Sequence, residues 1–179
     1  MKFEYTFEGM KLKVLDETFA GKVLAFYSRN RDEFDRYEAA KADNFYTTEY
    51  IAATLKAEYA ALLKGEFGRF FLFSDDMPGE ILGSVSFSGV TSINRSCRLG
   101  YKIDKNYRQL GLGSLMVKHM LKILTHEKEM HRIEAYIHPD NISSVNLVKS
   151  LGFISEGTAY SYVKLNGSWQ DHLRFVYIS

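Results

Sequence analysis

Arg108-Gln109-Leu110-Gly111-Leu112-Gly113-Ser114 decides the reading of this chain. It lies between a strand-like segment, residues 96–103, and the best amphipathic helix pattern in the sequence. Leu112, Leu115, Met116, His119, Met120, Ile123 and Leu124 recur at helical spacing after it. Glycine at 111 and 113 removes side chains where a ligand could approach the backbone. The helix that starts here offers unpaired N–H groups and the positive end of its dipole. Strand, glycine loop and helix N-terminus together make a cradle for a diphosphate. The competing reading is that the glycines serve packing alone, and two glycines by themselves leave that reading ahead. A P-loop is excluded, because Ser114 and Leu115 follow Gly113 where lysine and a hydroxyl residue are required. A dinucleotide fingerprint needs three spaced glycines in a parallel βαβ unit.

Upstream, the strands read as an antiparallel meander. Residues 69–74 are rich in phenylalanine, and Asp75-Asp76-Met77-Pro78-Gly79 signals a turn. Residues 80–91 alternate as a strand should. Before them come a short strand or hairpin over 3–15 and three helical stretches near 17–28, 32–41 and 48–64. Asp16 suits a cap for the first and Gly65 a stop for the third. Downstream, a strand is expected over 132–138. A short helix follows over 142–150, capped by Asp140 or Asn141 and stopped by Gly152. Strands over 153–165 and 169–178 then flank the turn Asn166-Gly167.

The chain has 179 residues, 46% of them hydrophobic, which suits one domain with a packed core. Lysine plus arginine is 23 against 22 acidic residues, a balance that argues against a broad nucleic-acid or membrane surface. The start Met1-Lys2-Phe3-Glu4-Tyr5 lacks a signal-peptide pattern, and no run reaches the length of a membrane span. Cys97 is the single cysteine, so no intramolecular disulfide forms; a reducing cytoplasm is the expected setting. Cys97 reads as a small strand residue, since nothing near it in sequence resembles an activating base.

Arg108-Gln109-Leu110-Gly111-Leu112-Gly113 resembles the R/Q-x-x-G-x-G/A signature with which GNAT acetyltransferases hold the pyrophosphate of coenzyme A. The similarity extends to Leu99-Gly100-Tyr101-Lys102-Ile103, like the strand that precedes that loop. His138-Pro139-Asp140-Asn141-Ile142-Ser143-Ser144, then Leu151-Gly152-Phe153-Ile154-Ser155-Glu156-Gly157, resembles a segment of the RimJ/RimL branch. Those enzymes acetylate N-terminal α-amines of ribosomal proteins. Asn166-Gly167-Ser168-Trp169-Gln170-Asp171 fits the hairpin that closes the branch. The likeness covers residues 69–179; the helical N-terminal part fits only in outline.

The resemblance implies an α/β (α+β) fold: one GNAT domain over 1–179, with a mixed, mostly antiparallel sheet splayed into a V between strands 96–103 and 132–138. Acetyl-CoA, the cosubstrate, would lay its pantetheine arm in the V. Backbone groups of Tyr101 and Ile103 would touch the arm and the thioester. Backbone N–H groups of Arg108, Gln109, Gly111, Leu112, Gly113 and Ser114 would hold the pyrophosphate, with the Ser114 hydroxyl adding a bond. Asn141 would reach the arm, with Ser144 close by, though Asn141 also reads plainly as a helix cap. The reaction implied is direct attack of an amine on the thioester. A protein or peptide N-terminal α-amine is the expected acceptor. A small-molecule amine acetyltransferase or a non-catalytic acetyl-CoA-binding module are the alternatives. A homodimer is compatible with this reading; nucleic acid and membrane are not expected partners.

The general base is sought among Glu156, Glu134, His138, Tyr160 and Asp171. The resemblance favours Glu156, on a strand expected to border the end of the pantetheine gap. An exposed strand-edge glutamate is its plain alternative. Ser144, Tyr160 or water would protonate the thiolate. No histidine of the five pairs with a second ligand at helical spacing on one face, so no metal is expected.

Overall fold

The computed structural model describes residues 1–77, 79–165 and 167–179. Pro78 and Asn166, read above as turn residues, lie outside the described residues. A hairpin of β1 (Glu4–Phe7) and β2 (Met10–Lys13) leads into α1 (Ala20–Arg29), α2 (Arg31–Asp35) and α3 (Thr48–Leu63). Strands β3 (Gly68–Ser74), β4 (Gly83–Thr91) and β5 (Ser96–Ile103) follow, then α4 (Leu112–Lys122), β6 (Arg132–Ile137) and α5 (Ile142–Ser150). Strands β7 (Ile154–Leu165) and β8 (Ser168–Ile178) close the chain. All eight strands form one sheet in the order β1-β2-β3-β4-β5-β6-β8-β7. Every neighbouring pair is antiparallel except β5 and β6.

Strand alternation assigns the two faces. Val85, Phe87, Leu99, Ile133, Ala135, Ile137 and Phe175 point to one side and are buried with Met116, Val117 and Met120 of α4 and Val145 and Val148 of α5. On the opposite side Phe71 joins Ile81, Val23, Phe26, Ile51 and Leu55 in a second core beneath α1 and α3. This second core stops short of the sheet's middle. There the floor is Ser86, Ser88, Arg98, Gly100, Glu134 and Tyr136, of which none is buried. The sheet thus carries an uncovered polar trough between α1–α3 and the β7–β8 hairpin.

Local signals mostly act as expected. Asp16 Oδ1 accepts from the Thr18 amide at 2.9 Å, although a 3₁₀ turn, Glu17–Phe19, precedes α1. Gly65 and Gly152 adopt φ of +77° and +87° past the ends of α3 and α5. The helix expected over 32–41 stops at Asp35. The Asp35 carboxylate gathers Lys41 and the Tyr46 hydroxyl, the latter at 3.0 Å, and so folds the following segment back on itself. β4 begins at Gly83 rather than at residue 80, and a Cβ on Gly83 would lie 2.6 Å from the Lys102 carbonyl oxygen, so glycine permits the close approach of β4 and β5 there.

Candidate active site

Strands β5 and β6 pair only at Ser96–Arg132, Cys97–Ile133 and Arg98–Glu134. Beyond Arg98 they part. Among the described residues, Leu99 to Ile103 pair with β4 on one edge and with no strand on the other. A bare strand edge of this kind takes an extended amide chain as an added strand. Across the opening the Tyr101 hydroxyl donates to the Ser144 carbonyl oxygen at 3.2 Å, tying β5 to α5. Burial pushes the Tyr101 phenol up to about 12, so it stays protonated. Asn141 Oδ1 caps α5, accepting from the Ser144 amide at 3.2 Å and the Ser143 hydroxyl at 3.0 Å. Its cap role is thus realised in the fold.

The loop from β5 to α4 is bent by two left-handed residues, Gln109 at φ +63° and Gly111 at φ +77°. Gly111 is the N-cap of α4, and no side chain among the described residues caps that helix. Its first amides therefore face outward without an intrahelical acceptor. Consecutive turned N–H groups at a helix start make an anion-binding concavity. The two glycines differ in role. A Cβ on Gly111 meets nothing within 4 Å, so that residue is needed for its backbone angle and leaves the loop open. A Cβ on Gly113 would sit 2.8 Å from Leu147 Cδ1 and 3.4 Å from Ile103 Cγ1. Gly113 therefore lets α4 pack against α5 and β5, the packing reading of that glycine.

A buried polar clamp, not foreseen from the sequence, holds the start of this loop. Asn30 and Asp104 are both fully buried. Asn30 Nδ2 donates to Phe26 O and Asp104 Oδ2, each at 2.8 Å, and Asn30 Oδ1 accepts from the Lys105 amide at 2.8 Å. Arg29 completes the set through an ion pair to Asp104 and a bond to Ile81 O at 2.8 Å. Burial alone would raise the Asp104 pKa. Hydrogen bonds from the Asn106 amide, Asn30 and Arg29 outweigh it and hold the carboxyl below its ordinary range. Arg108, expected to face the pyrophosphate, pairs with Glu33 of α2 at 2.6 Å.

Glu156 does not stand where the sequence placed it. β8 intervenes between β7 and β6, so β7 is the edge strand and does not border the gap. Its backbone lies two strand spacings, roughly 10 Å, from β6. The Glu156 carboxylate reaches back over β8 to Arg132, which donates from Nη1 at 2.9 Å and also from Nη2. These bonds hold the exposed carboxyl below its usual range and make it a weaker proton acceptor. Glu134 lies in the same network. Burial would raise its pKa, but donation from Arg132, Arg174 and Tyr136, at 2.8, 2.8 and 2.9 Å, brings it down to about 2. His138 lies beside Tyr37 and His172, with ring centroids 5.5 and 5.6 Å apart. Tyr160 is exposed on β7, and Asp171 on β8 accepts from the Ser161 amide at 2.8 Å. Cys97 is buried in the sheet, its thiol pushed up to about 12 by burial. Among the described residues no group of side chains could hold a metal ion, and no helix is long and apolar enough to cross a membrane.

A mixed sheet whose two parallel strands part beside an uncapped helix defines an acyl-CoA-dependent acyltransferase class of fold. The chain matches the acetyltransferase (GNAT) domain family over residues 15–154, and it belongs to that family. It is an N-acetyltransferase related to the ribosomal-protein acetyltransferases. The probable N-acetyltransferase YjcK of Bacillus subtilis is 33% identical over 164 residues, covering 90% of this chain and 89% of the relative. The ribosomal-protein-S5-alanine acetyltransferase of Vibrio fischeri superposes with a TM-score of 0.92 at 25% identity, covering 99% of this chain and 97% of the other. Mycobacterium smegmatis RimJ, solved with a CoA-disulfide, gives a TM-score of 0.88 at 21% identity over 95% and 82% of the two chains.

Proposed function

We propose that residues 1–179 form one domain that moves an acetyl group from acetyl-CoA to the α-amine of a protein or peptide N-terminus. The observation that carries this reading is the parting of β5 from β6 beyond Arg98, ending on the uncapped start of α4. The bound molecules and acceptors named for the similar proteins, CoA and an S5 alanine, support it.

The fit of the residues is physical. The bare edge from Leu99 to Ile103 offers Tyr101 and Ile103 backbone groups to the amides of a pantetheine arm. Backbone N–H groups from Arg108 through Gln109, Gly111, Leu112, Gly113 and Ser114 hold the diphosphate, and the Gly111 angle keeps the loop open. Asn141 and Ser144 line the far side of the gap from α5. Acetyl-CoA supplies the activated thioester. The amine nitrogen bonds to its carbonyl carbon, the carbon–sulfur bond breaks, and the proton lost by the amine ends on the departing thiolate.

Proton removal is the lighter task for an α-amine, whose pKa is roughly 7.7–8.0. A substantial fraction is already neutral near pH 8. Glu156 lies on a strand outside the gap, but its carboxylate reaches back to Arg132 beside the paired end of β5 and β6, and from there it contributes as a weak base through water rather than by direct abstraction. Thiol release from acetyl-CoA, measured against free-N-terminus peptides, N-terminally blocked lysine peptides and polyamines, tests the proposal. Faster turnover of the free N-terminus supports it. Preference for polyamines assigns a small-molecule acceptor, and no release with any amine leaves only acetyl-CoA binding.

A further inference from the structure

Three arginines, Arg98, Arg132 and Arg174, share the polar face of the sheet with two glutamates, Glu134 and Glu156. Arg132 and Arg174 are consumed by the glutamates. The Arg98 side chain makes no ion pair or hydrogen bond among the described residues, although the residue stands in the middle of an eight-stranded sheet. Small neighbours leave it that space. Its β4 partner is Ser88, and Gly100 lies two residues on along β5. A Cβ on Gly89 would lie 3.8 Å from Arg98 Cδ and Nε, so the arginine stem lies along that glycine.

The guanidinium nevertheless has a seat. It stands 5.7 Å from the Tyr136 ring centroid. Tyr136 is itself fixed, stacked on Tyr162 at 4.2 Å and 7°, with its hydroxyl donating to Glu134 at 2.9 Å. Arg174 shares this ring, with its Cζ 5.8 Å from the centroid, but Arg174 is engaged by glutamates, so the Arg98 guanidinium keeps its N–H donors for a carboxylate. Nearby, Lys102 is already neutralised by Glu38, so the trough carries one uncompensated positive charge at Arg98. That charge sits at the last paired residue of β5, where the gap opens.

We infer that Arg98 is the anchor for a carboxylate on the acceptor, and that this enzyme's acceptors carry a carboxylate close to the reacting amine. The inference rests on the proposed acetyl transfer to an α-amine and names the substrate class within it. Two sources supply that chemistry: an acidic side chain at the second residue of a peptide, or the α-carboxylate of a free amino acid.

The test compares peptides identical but for glutamate, glutamine or lysine at the second position, and L-alanine against L-alaninamide, with thiol release as the readout. For the wild type, kcat/KM for the carboxylate member of at least one pair exceeds its neutral partner by about 10-fold, mainly through KM. Which pair responds identifies the source. In Arg98→Gln that ratio falls to within about twofold of one; in Arg98→Lys, which keeps charge but not the fork, it lies between. Raising ionic strength shrinks the wild-type ratio as it screens the charge. Arg98 is exposed and unbonded, and an unchanged melting temperature confirms that the variants fold. A wild-type ratio of one in both pairs, or a ratio unaltered in Arg98→Gln, overturns the anchor while leaving acetyl transfer standing. Failure of every amine to release thiol overturns the α-amine reading itself, and the anchor with it.

Discussion

Replacing Gly111 separates the backbone's demand for glycine from the ligand's. Gly111 sits at φ +77°, ψ −6°, with open space where a Cβ would go. Alanine there meets no atom, so its cost is the left-handed angle alone, about 1 kcal/mol. For a chain of this size that lowers the melting temperature by about 2–4 °C. Aspartate tolerates the left-handed region better, so Gly111→Asp costs stability no more than alanine does. Its carboxylate, however, faces the proposed diphosphate site. At roughly 5 Å and an effective dielectric of about 40, repulsion is about 1.7 kcal/mol per unit charge, and two charges reduce affinity by roughly 10²-fold. Calorimetric titration with acetyl-CoA reads the affinity and differential scanning reads the fold. Gly111→Asp that melts within a few degrees of wild type yet binds acetyl-CoA undiminished refutes the cradle. Gly113 is no substitute for this experiment. Its missing Cβ is filled by Leu147, so a side chain there disturbs packing as well as binding.

Other outcomes follow from the same geometry. Asn30→Ala removes three hydrogen bonds, two of them buried, and orphans the Lys105 amide, costing about 3 kcal/mol and lowering the melting temperature by about 6–12 °C; a change under about 2 °C would show that the clamp does not hold the loop. Glu134 has a depressed folded pKa, about 2 against 4.5, so its contribution is present above pH 4.5 and fades as pH falls toward 2. Melting temperature against pH is therefore flatter across that window in Glu134→Gln than in wild type, and parallel curves would contradict the assignment. Glu156→Gln lowers kcat about tenfold at neutral pH, less than the roughly 10²-fold or more of a dedicated base, with recovery as pH rises. A 10³-fold loss would mean that the ion pair with Arg132 opens during turnover and that Glu156 takes the proton directly.

The sequence made the central elements legible because they depend on local signals. Strands β3 to β5, α4, α5 and the Gly152 stop follow from periodicity and caps within a few residues of each site. Gly111 read as a glycine that leaves the backbone open; that it is held at φ +77° as the N-cap of α4 is visible only in the structure. What the sequence concealed were contacts across large sequence separations. Gly113 looked like a ligand glycine, but its neighbour Leu147 comes from another helix. Asn30 and Asp104 are separated by 74 positions, and the only local trace of their clamp was the Asp104-Lys105-Asn106 turn. Glu156 was misplaced because the order of β7 and β8 in the sheet is set by tertiary pairing. A hairpin signal gives adjacency but not which arm lies next to β6. Arg98 appeared as one outward residue of an alternating strand, and nothing in sequence showed that the helices would leave it uncovered.

The central claim is acetyl transfer from acetyl-CoA to an N-terminal α-amine, and mass spectrometry locates the transferred group directly. Two peptides that begin with a free alanine and contain one internal lysine, one with glutamate and one with glutamine at the second position, are each incubated with the enzyme and acetyl-CoA, then fragmented. A single acetyl group on the N-terminal residue, absent when that terminus is blocked, is the predicted result. Acetylation on the lysine alone, or both peptides unmodified under conditions in which acetyl-CoA binds, would contradict it.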